Sequence, residues 1–371
     1  MGAFAGALML AASGACAQAP EKKDIKLGVG GAAALYYLPL ALTERLGHFK
    51  EQGLNVEISD FKGGSQSLTA LVGGSVDVVT GAFEHTLRMQ AKGQDIVCVI
   101  ELGRYPGIAL AVRKDRADKI KTVADLKGAK IGVTAPGSST NMIVWYLMAK
   151  AGLKPDDASF VGVGATASAV AAIQKGEIDA LSNVDPAISK LQSTGDVVVL
   201  AETRTTEGTA EVLGGPMSAA VLYLKREFAA KNPATVQALV NAFYKTLKWL
   251  DKATPAQIAE KVPQEYWLGD KELYVAAVKN NREPATLARF SEEVRQGNGR
   301  RHGRPRHYLG WALRGQGGRD DQVRMEPCPS SSSNRIFACR SGWRRRRATS
   351  ARRASTTSSG SSSVPAAAPI T

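Results

Sequence analysis

Short apolar runs and amphipathic segments alternate along this chain from residue 24 to about 225, a grammar that predicts an α/β architecture with mainly parallel sheets. Ile25-Lys26-Leu27-Gly28-Val29 reads as a strand running into the small-residue loop Gly30-Gly31-Ala32-Ala33-Ala34. A helix follows, with Pro39 suited to its first turn and Gly47 near its end. Val56-Glu57-Ile58 is the next strand. After Gly63-Gly64, Ser65 is expected to cap a helix carrying Leu68, Leu71 and Val72 on one face. Gly73-Gly74 stops that helix, and Val76-Asp77-Val78-Val79 reads as the third strand.

The order then recurs. Lys130-Ile131-Gly132-Val133-Thr134 is a strand, and Ala135-Pro136-Gly137-Ser138-Ser139-Thr140 leads into a helix. Gly152-Leu153 repeats Gly53-Leu54 at a separation of 99 residues, and Gly176-Glu177-Ile178-Asp179 repeats Gly74-Ser75-Val76-Asp77 at 102. Two markers in the same order at nearly one offset point to two similar lobes. After Asn183-Val184-Asp185-Pro186 come apolar runs at 197–200 and 219–223, and then a helical stretch. There Asn232 is the expected cap, Pro233 opens the first turn, and Val236, Leu239, Val240, Phe243, Leu247 and Leu250 share one face. Thr254-Pro255 opens another helix, and Asp270 caps a third.

Charge changes the picture only at one end. The 371 residues carry a formal charge of +14, which by itself suggests nucleic acid or an anionic surface. Residues 284–371, however, hold 17 arginines, no lysine and 5 acids, whereas residues 1–283 hold 31 basic and 29 acidic residues. The body is close to neutral, so the global charge says nothing about what it binds. The tail lacks an apolar period and contains low-complexity runs such as Arg344 to Arg347. Arginine without lysine, amid Ser, Pro, Ala and Gly, is what a GC-rich gene yields out of frame. A frameshift near residues 284–297 is therefore the expectation, in preference to an Arg-rich nucleic-acid arm.

Residues 1–17 form a short apolar stretch ending in Ala15-Cys16-Ala17, which reads as a signal peptide with an A-x-A cleavage site. Lipidation at Cys16 is the alternative, although Ser13 stands where a lipobox favours Leu. Cys98 reads as a buried strand residue, and the four histidines are scattered, so neither a disulfide framework nor a metal site is expected. The chain shows no G-x-S-x-G, phosphate-loop or H-E-x-x-H motif and no localisable carboxylate pair. Its candidate chemistry lies in strand-to-helix loops rich in Gly, Ser and Thr. Helix N-termini there offer unpaired N–H groups to an anion. Gly63-Gly64-Ser65-Gln66 and Gly137-Ser138-Ser139-Thr140 are the best candidates, one per lobe.

Four stretches carry a family resemblance: Leu38-Pro39-Leu40-Ala41, the run from Gly47 through Gly53-Leu54-Asn55-Val56, Leu68-Thr69-Ala70-Leu71-Val72-Gly73-Gly74-Ser75-Val76-Asp77, and the run from Thr122 to Val133. Over about residues 24–283 the chain resembles the periplasmic substrate-binding proteins of ABC importers, in the branch for nitrate, taurine, aliphatic sulfonates and thiamine-pyrimidine precursors. The resemblance implies the two-lobed type II binding-protein fold, with lobe 1 from 18–103 and 200–283 and lobe 2 from 104–199. It implies no cofactor, no metal and no catalysis. It further implies a small organic anion or heterocycle as ligand, a membrane permease as partner, a monomer, and a periplasmic location. Carried over position by position, the cleft would include Ala34, Leu35, Tyr36 and Tyr37, then Gly64, Ser65 and Gln66, then Gly81, Ala82 and Phe83. Lobe 2 would add Ser138, Ser139 and Thr140, Gly164 and Ala165, and Asn183 and Asp185 at the return crossover. The related pyrimidine synthases are the rival, but His48, His85 and Cys98 do not supply the histidine- and cysteine-rich site those enzymes need.

The frameshift expectation is checked by sequencing the 3′ end of the gene in several isolates. A displaced reading frame beyond residue 284 is the expected result, and one intact frame throughout contradicts it.

Overall fold

The computed structural model describes residues 19–281, together with two short strands, Trp311–Arg314 and Arg324–Pro327, which pair antiparallel. The expected signal peptide and most of the Arg-rich tail lie outside the described residues. The first half runs β1 (Asp24–Val29), α1 (Leu38–Arg45), α2 (His48–Glu51), β2 (Asn55–Asp60), α3 (Gly64–Gly73), β3 (Val78–Ala82), α4 (Phe83–Ala91) and β4 (Ile96–Glu101). The second runs β5 (Ile108–Arg113), β6 (Lys130–Val133), α5 (Ser139–Lys150), β7 (Ser159–Gly162), α6 (Ala167–Gln174), β8 (Ala180–Val184), α7 (Ala187–Ser193), β9 (Val197–Glu202) and α8 (Thr206–Leu213). The chain closes with β10 (Ala220–Lys225) and helices α9 (Arg226–Lys231), α10 (Pro233–Lys252), α11 (Pro255–Lys261) and α12 (Lys271–Asn281).

Two five-stranded sheets result, ordered β2-β1-β3-β10-β4 and β7-β6-β8-β5-β9. In each, four strands run in one direction and one is antiparallel to both its neighbours: β10 in the first and β5 in the second. Each antiparallel strand is the next one the chain forms after a strand of the other sheet, β5 after β4 and β10 after β9. Both are buried and free of charge up to their last residues, Arg113 and Lys225, because both their faces are covered. Ala220, Leu222 and Leu224 face the core under α10, whereas Val221 and Tyr223 face Leu68, Leu71 and Cys98. Likewise Ala109 and Ala111 face α6 and α7, and Leu110 and Val112 face α5. All six apolar positions of the α10 stripe are buried.

The sequence repeat has a structural counterpart. The carboxylate of Asp77 accepts from the Lys26 N–H at 2.9 Å, and the Asp77 N–H donates to the Lys26 carbonyl at 2.8 Å. Asp179 makes the same pair of bonds with Lys130, at the same 2.9 and 2.8 Å. The aspartate thus clasps the start of the first strand of each lobe, which accounts for its recurrence with a preceding glycine in the left-handed region at Gly74 and Gly176.

Several expectations need correction. The third strand runs over Val78–Ala82, because Asp77 is committed to the clasp. Ser65 does not cap α3, since its hydroxyl reaches across to the Pro136 carbonyl. The amides at the start of α10 are bonded not by Asn232 but by Glu21, whose carboxylate accepts from the Ala234 and Thr235 N–H groups. Thr254 and Asp270 do cap α11 and α12. The expected lobe boundary at 199/200 falls inside β9, which stays with the second sheet to Glu202, and Val212 of α8 packs in that lobe's core. The chain returns to the first sheet only after α8, so Asn183 and Asp185 are not on the return crossover. They sit at the end of β8 and before α7.

Removing either clasp leaves backbone groups without their charged partner, a loss of about 1–3 kcal/mol. Asp77→Ala and Asp179→Ala are each expected to lower the stability read from guanidinium unfolding by that amount. Because the sites lie in separate lobes, the double variant is expected to show the sum.

Candidate functional site

The lobes meet through loops that present almost no side chain. A Cβ on Gly63 would lie 2.5 Å from the Ala135 methyl, and one on Gly31 would lie 2.7 Å from that of Ala165. At this junction the Ser65 N–H donates to the Ser138 Oγ at 3.0 Å, the two hydroxyls are 3.2 Å apart, and the Ser65 hydroxyl donates to the Pro136 carbonyl at 2.9 Å. Arg88 of α4 adds a bond from its guanidinium to the Gly137 carbonyl at 3.0 Å. The two Gly/Ser loops singled out as anion holders therefore hold each other in this closed arrangement.

A second tie passes through Asp185, which is 1% exposed. Its carbonyl accepts from the Leu35 N–H at 2.8 Å, and its carboxylate accepts from the Asn281 side chain at 2.6 Å and the Ser189 N–H at 2.7 Å. The Arg204 guanidinium stands 3.5 Å from the same carboxylate and also grips Glu202. One buried residue thus joins the β8–α7 turn of the second lobe to the first, through its carbonyl to the loop before α1 and through its carboxylate to α12.

Beside these ties lies a partly open cleft with a cavity of about 160 Å³. The first lobe contributes Tyr36 and Glu84, and the second contributes Ile108, Ser139, Met142 and Ile143. Met217 and Ser218, on the return segment, complete the wall. Tyr36 is held edge-on to Tyr37 at 4.9 Å and also borders the cavity around Asp185 and Arg204. Among the described residues the wall is apolar except for Glu84 and the hydroxyls of Tyr36, Tyr146, Ser139 and Ser218, and no described lysine or arginine lines it.

Glu84 begins α4 directly after the buried strand β3, so the helix start projects it toward the lobe junction. Its Oε1 is buried without a hydrogen-bond partner. Burial raises its pKa from 4.5 to about 7, opposed by its own backbone N–H and by Arg88. The neighbouring His85 is fully buried, with Nδ1 3.2 Å from the Tyr223 hydroxyl and Nε2 3.6 Å from Glu84. Burial, reinforced by Arg88, lowers its pKa to about 3, so the imidazole is neutral at ordinary pH. Gly81 lies against the Tyr223 ring, where a Cβ would come within 2.6 Å.

Of the proposed cleft residues, Leu35, Tyr36, Ser139 and Asp185 border the two cavities at the lobe junction. Gly64 is buried beside His85, whereas Ser65 and Ser138 bond across the junction. Ala165 abuts Gly31, and the Gly164 carbonyl accepts from the buried Asn183 amide. Ala34 and Tyr37 lie in the main core, Ala82 is buried in β3, and Phe83 packs against the core on the other face of that sheet. Thr140 is buried with its hydroxyl bonded to Thr134, and Gln66 is exposed with its side chain turned back to the Lys62 N–H. His48 is committed to Thr246 at 2.8 Å, and the Cys98 thiol is buried in β4. Sequence reasoning missed Glu84, Met142, Ile143 and the return segment. The signal for Glu84 was its place at a helix start directly after Gly81-Ala82-Phe83.

Comparison with known proteins agrees with this geometry. A family model described as NMT1/THI5 like matches residues 35–257. A solved structure from Bordetella bronchiseptica RB50 is 51% identical, with a TM-score of 0.71, over 72% of this chain and 84% of that one. The alkanesulfonate-binding protein SsuA from Xanthomonas axonopodis pv. citri, solved bound to MOPS, is 23% identical with a TM-score of 0.57, over 75% of this chain and 92% of its own. The fold is thus the two-lobed periplasmic-binding-protein fold. The 4-amino-5-hydroxymethyl-2-methylpyrimidine phosphate synthase of Schizosaccharomyces pombe is 28% identical over 57% of this chain, which spans 61% of that enzyme.

Glu84 and His85 give a pH signature. A carboxyl raised from 4.5 to about 7 adds stability that is complete below 4.5 and lost as pH rises through 7, up to roughly 3 kcal/mol. A histidine lowered from 6.5 to about 3 adds stability that is complete above 6.5 and lost as pH falls toward 3. The melting midpoint of the unliganded protein is expected to fall from pH 6 to 8.5, and Glu84→Gln is expected to flatten that fall. An equal fall in the variant contradicts the assignment.

Proposed function

Because the chain belongs to the NMT1/THI5-like family, we propose that it is the solute-binding component of an ABC importer. It works in the periplasm, closes its lobes over a small organic solute and delivers it to a membrane permease. The observation that carries this reading is the cleft itself: its walls come from both sheets, and backbone-level contacts at Gly63–Ala135 and Ser65–Ser138 bring the lobes together. A solute touching both lobes favours the closed population by its differential affinity for it.

An enzymatic reading has less support. His85 is buried and tied to Tyr223, His48 to Thr246, and Cys98 lies inside a strand, so none of the three faces the cleft. The family's sulfonate and nitrate binders make an anion the first expectation for the solute. The candidate anion-holding groups, however, face one another across the junction, and no described lysine or arginine lines the cleft. The wall instead suits a solute with an apolar body, in line with the heterocycle alternative.

Native mass spectrometry of the full chain tests the proposal. Protein purified under mild conditions is expected to carry one small molecule per chain, released on denaturation, and Ser218→Trp, which fills the cleft, is expected to abolish that retention. Equal retention by the folded variant contradicts an interlobe site.

A further inference from the structure

One polar group of the cleft is used by neither the fold nor the closure. Glu84 lines the apolar space between the lobes, with one carboxylate oxygen buried and unpartnered. A buried carboxylate without a partner is costly, and a carboxylic acid in an apolar wall gains only when something arrives to bond it. The nearest cation, Arg88 on the next turn of the same helix, does not line the cleft and donates to the Gly137 carbonyl across the junction. His85 faces Glu84 at 3.6 Å but is neutral and fully buried. Tyr36, Tyr37 and Tyr223 nearby are held protonated by burial, Tyr146 lines the cleft opposite Glu84, and Glu101 acts on Tyr36 from the same side. Arg88 favours the ionised carboxylate but is outweighed by burial, and its guanidinium is bonded to the Gly137 carbonyl, so the carboxylate gains from a closer cation.

We propose that Glu84 receives the head group of the solute, and that the solute is a protonated amine on an apolar or aromatic body. The ammonium pairs with the carboxylate, and the body lies against Tyr36, Ile108, Met142, Ile143, Leu213 and Met217. Closure without an amine requires Glu84 to take up a proton, whereas closure over an amine lets it remain ionised. The head group thus couples to the lobe motion directly. This assignment rests on the interlobe reading above and adds to it the sign of the solute's charge.

The experiment uses three probes of one shape, 2-phenylethylamine, 2-phenylethanol and 2-phenylethanesulfonate, against the full chain and Glu84→Gln. Thermal shift and calorimetry are the readouts. The amine is expected to raise the melting midpoint of the natural protein and the sulfonate to leave it unchanged. Glu84→Gln is expected to weaken amine binding roughly 10- to 100-fold. A second readout needs no variant: amine affinity of the natural protein is expected to rise from pH 6 to 8 as Glu84 ionises, since the amine stays protonated throughout. Equal amine affinity in both proteins overturns the role of Glu84. A sulfonate that binds the natural protein, and binds Glu84→Gln more tightly, overturns the sign of the solute while leaving the interlobe site standing. No shift from any probe overturns the amine class, and the interlobe reading falls with it only if mass spectrometry also finds no retained solute.

Discussion

Side-chain-free contact between two pairs of loops is the constraint on which the rest of this molecule depends. Gly63 and Gly31 stand where a single methyl would collide with Ala135 and Ala165, so the lobes approach at backbone distance. The Ser65–Ser138 bond can form only at that separation. Small residues here serve closure more than turn formation. Gly63 itself has an extended backbone that any residue could adopt, so what excludes larger residues is the opposing lobe. Everything functional follows from the approach: the cleft acquires two walls, Glu84 loses its water, and Asp185 reaches both α12 and the loop before α1.

The exchange of antiparallel strands makes the two lobes one machine. β5 and β10 lie beside the parallel strands of their sheets, and each is entered straight from the other lobe. The segments flanking these strands cross between lobes, which places Pro106 and Met217 at the cleft itself. A movement of one lobe against the other is therefore felt where the solute sits. The rigid remainder is supplied by cores on both faces of each sheet and by the paired clasps at Asp77 and Asp179.

Much of the fold was legible because it is written in local rules. The α10 stripe follows helical period, and Thr254 and Asp270 are ordinary caps. The repeated Gly-x-x-Asp marks a real symmetry. Errors arose wherever a distant residue supplies the partner. Glu21 caps α10 from more than two hundred residues away, and Ser65 turns from its own helix to the other lobe. The lobe boundary was misplaced because β9 and β10 look alike as apolar runs, and only strand pairing separates them. The site was half legible. The glycine-rich loops lie at the lobe junction, and Tyr36 and Ser139 border the cavity there. Glu84 went unnoticed because a glutamate at a helix start is ordinarily a solvated partner of the helix dipole. Its place in a cleft shared with Ser139 and Met142 of the opposing lobe is set by a lobe approach that no local pattern encodes.

The most direct test of closure through bare backbone is a distance between the lobes. Val72 on α3 and Val198 on β9 are both exposed and take spin labels in a chain whose native cysteines are serine. Pulsed dipolar spectroscopy should then show a short, narrow distance population for the natural loops. It should show a longer, broader one when Gly63→Val places a branched side chain against Ala135. Identical distributions in the two proteins would contradict the account, because closure would then not depend on the glycine at all.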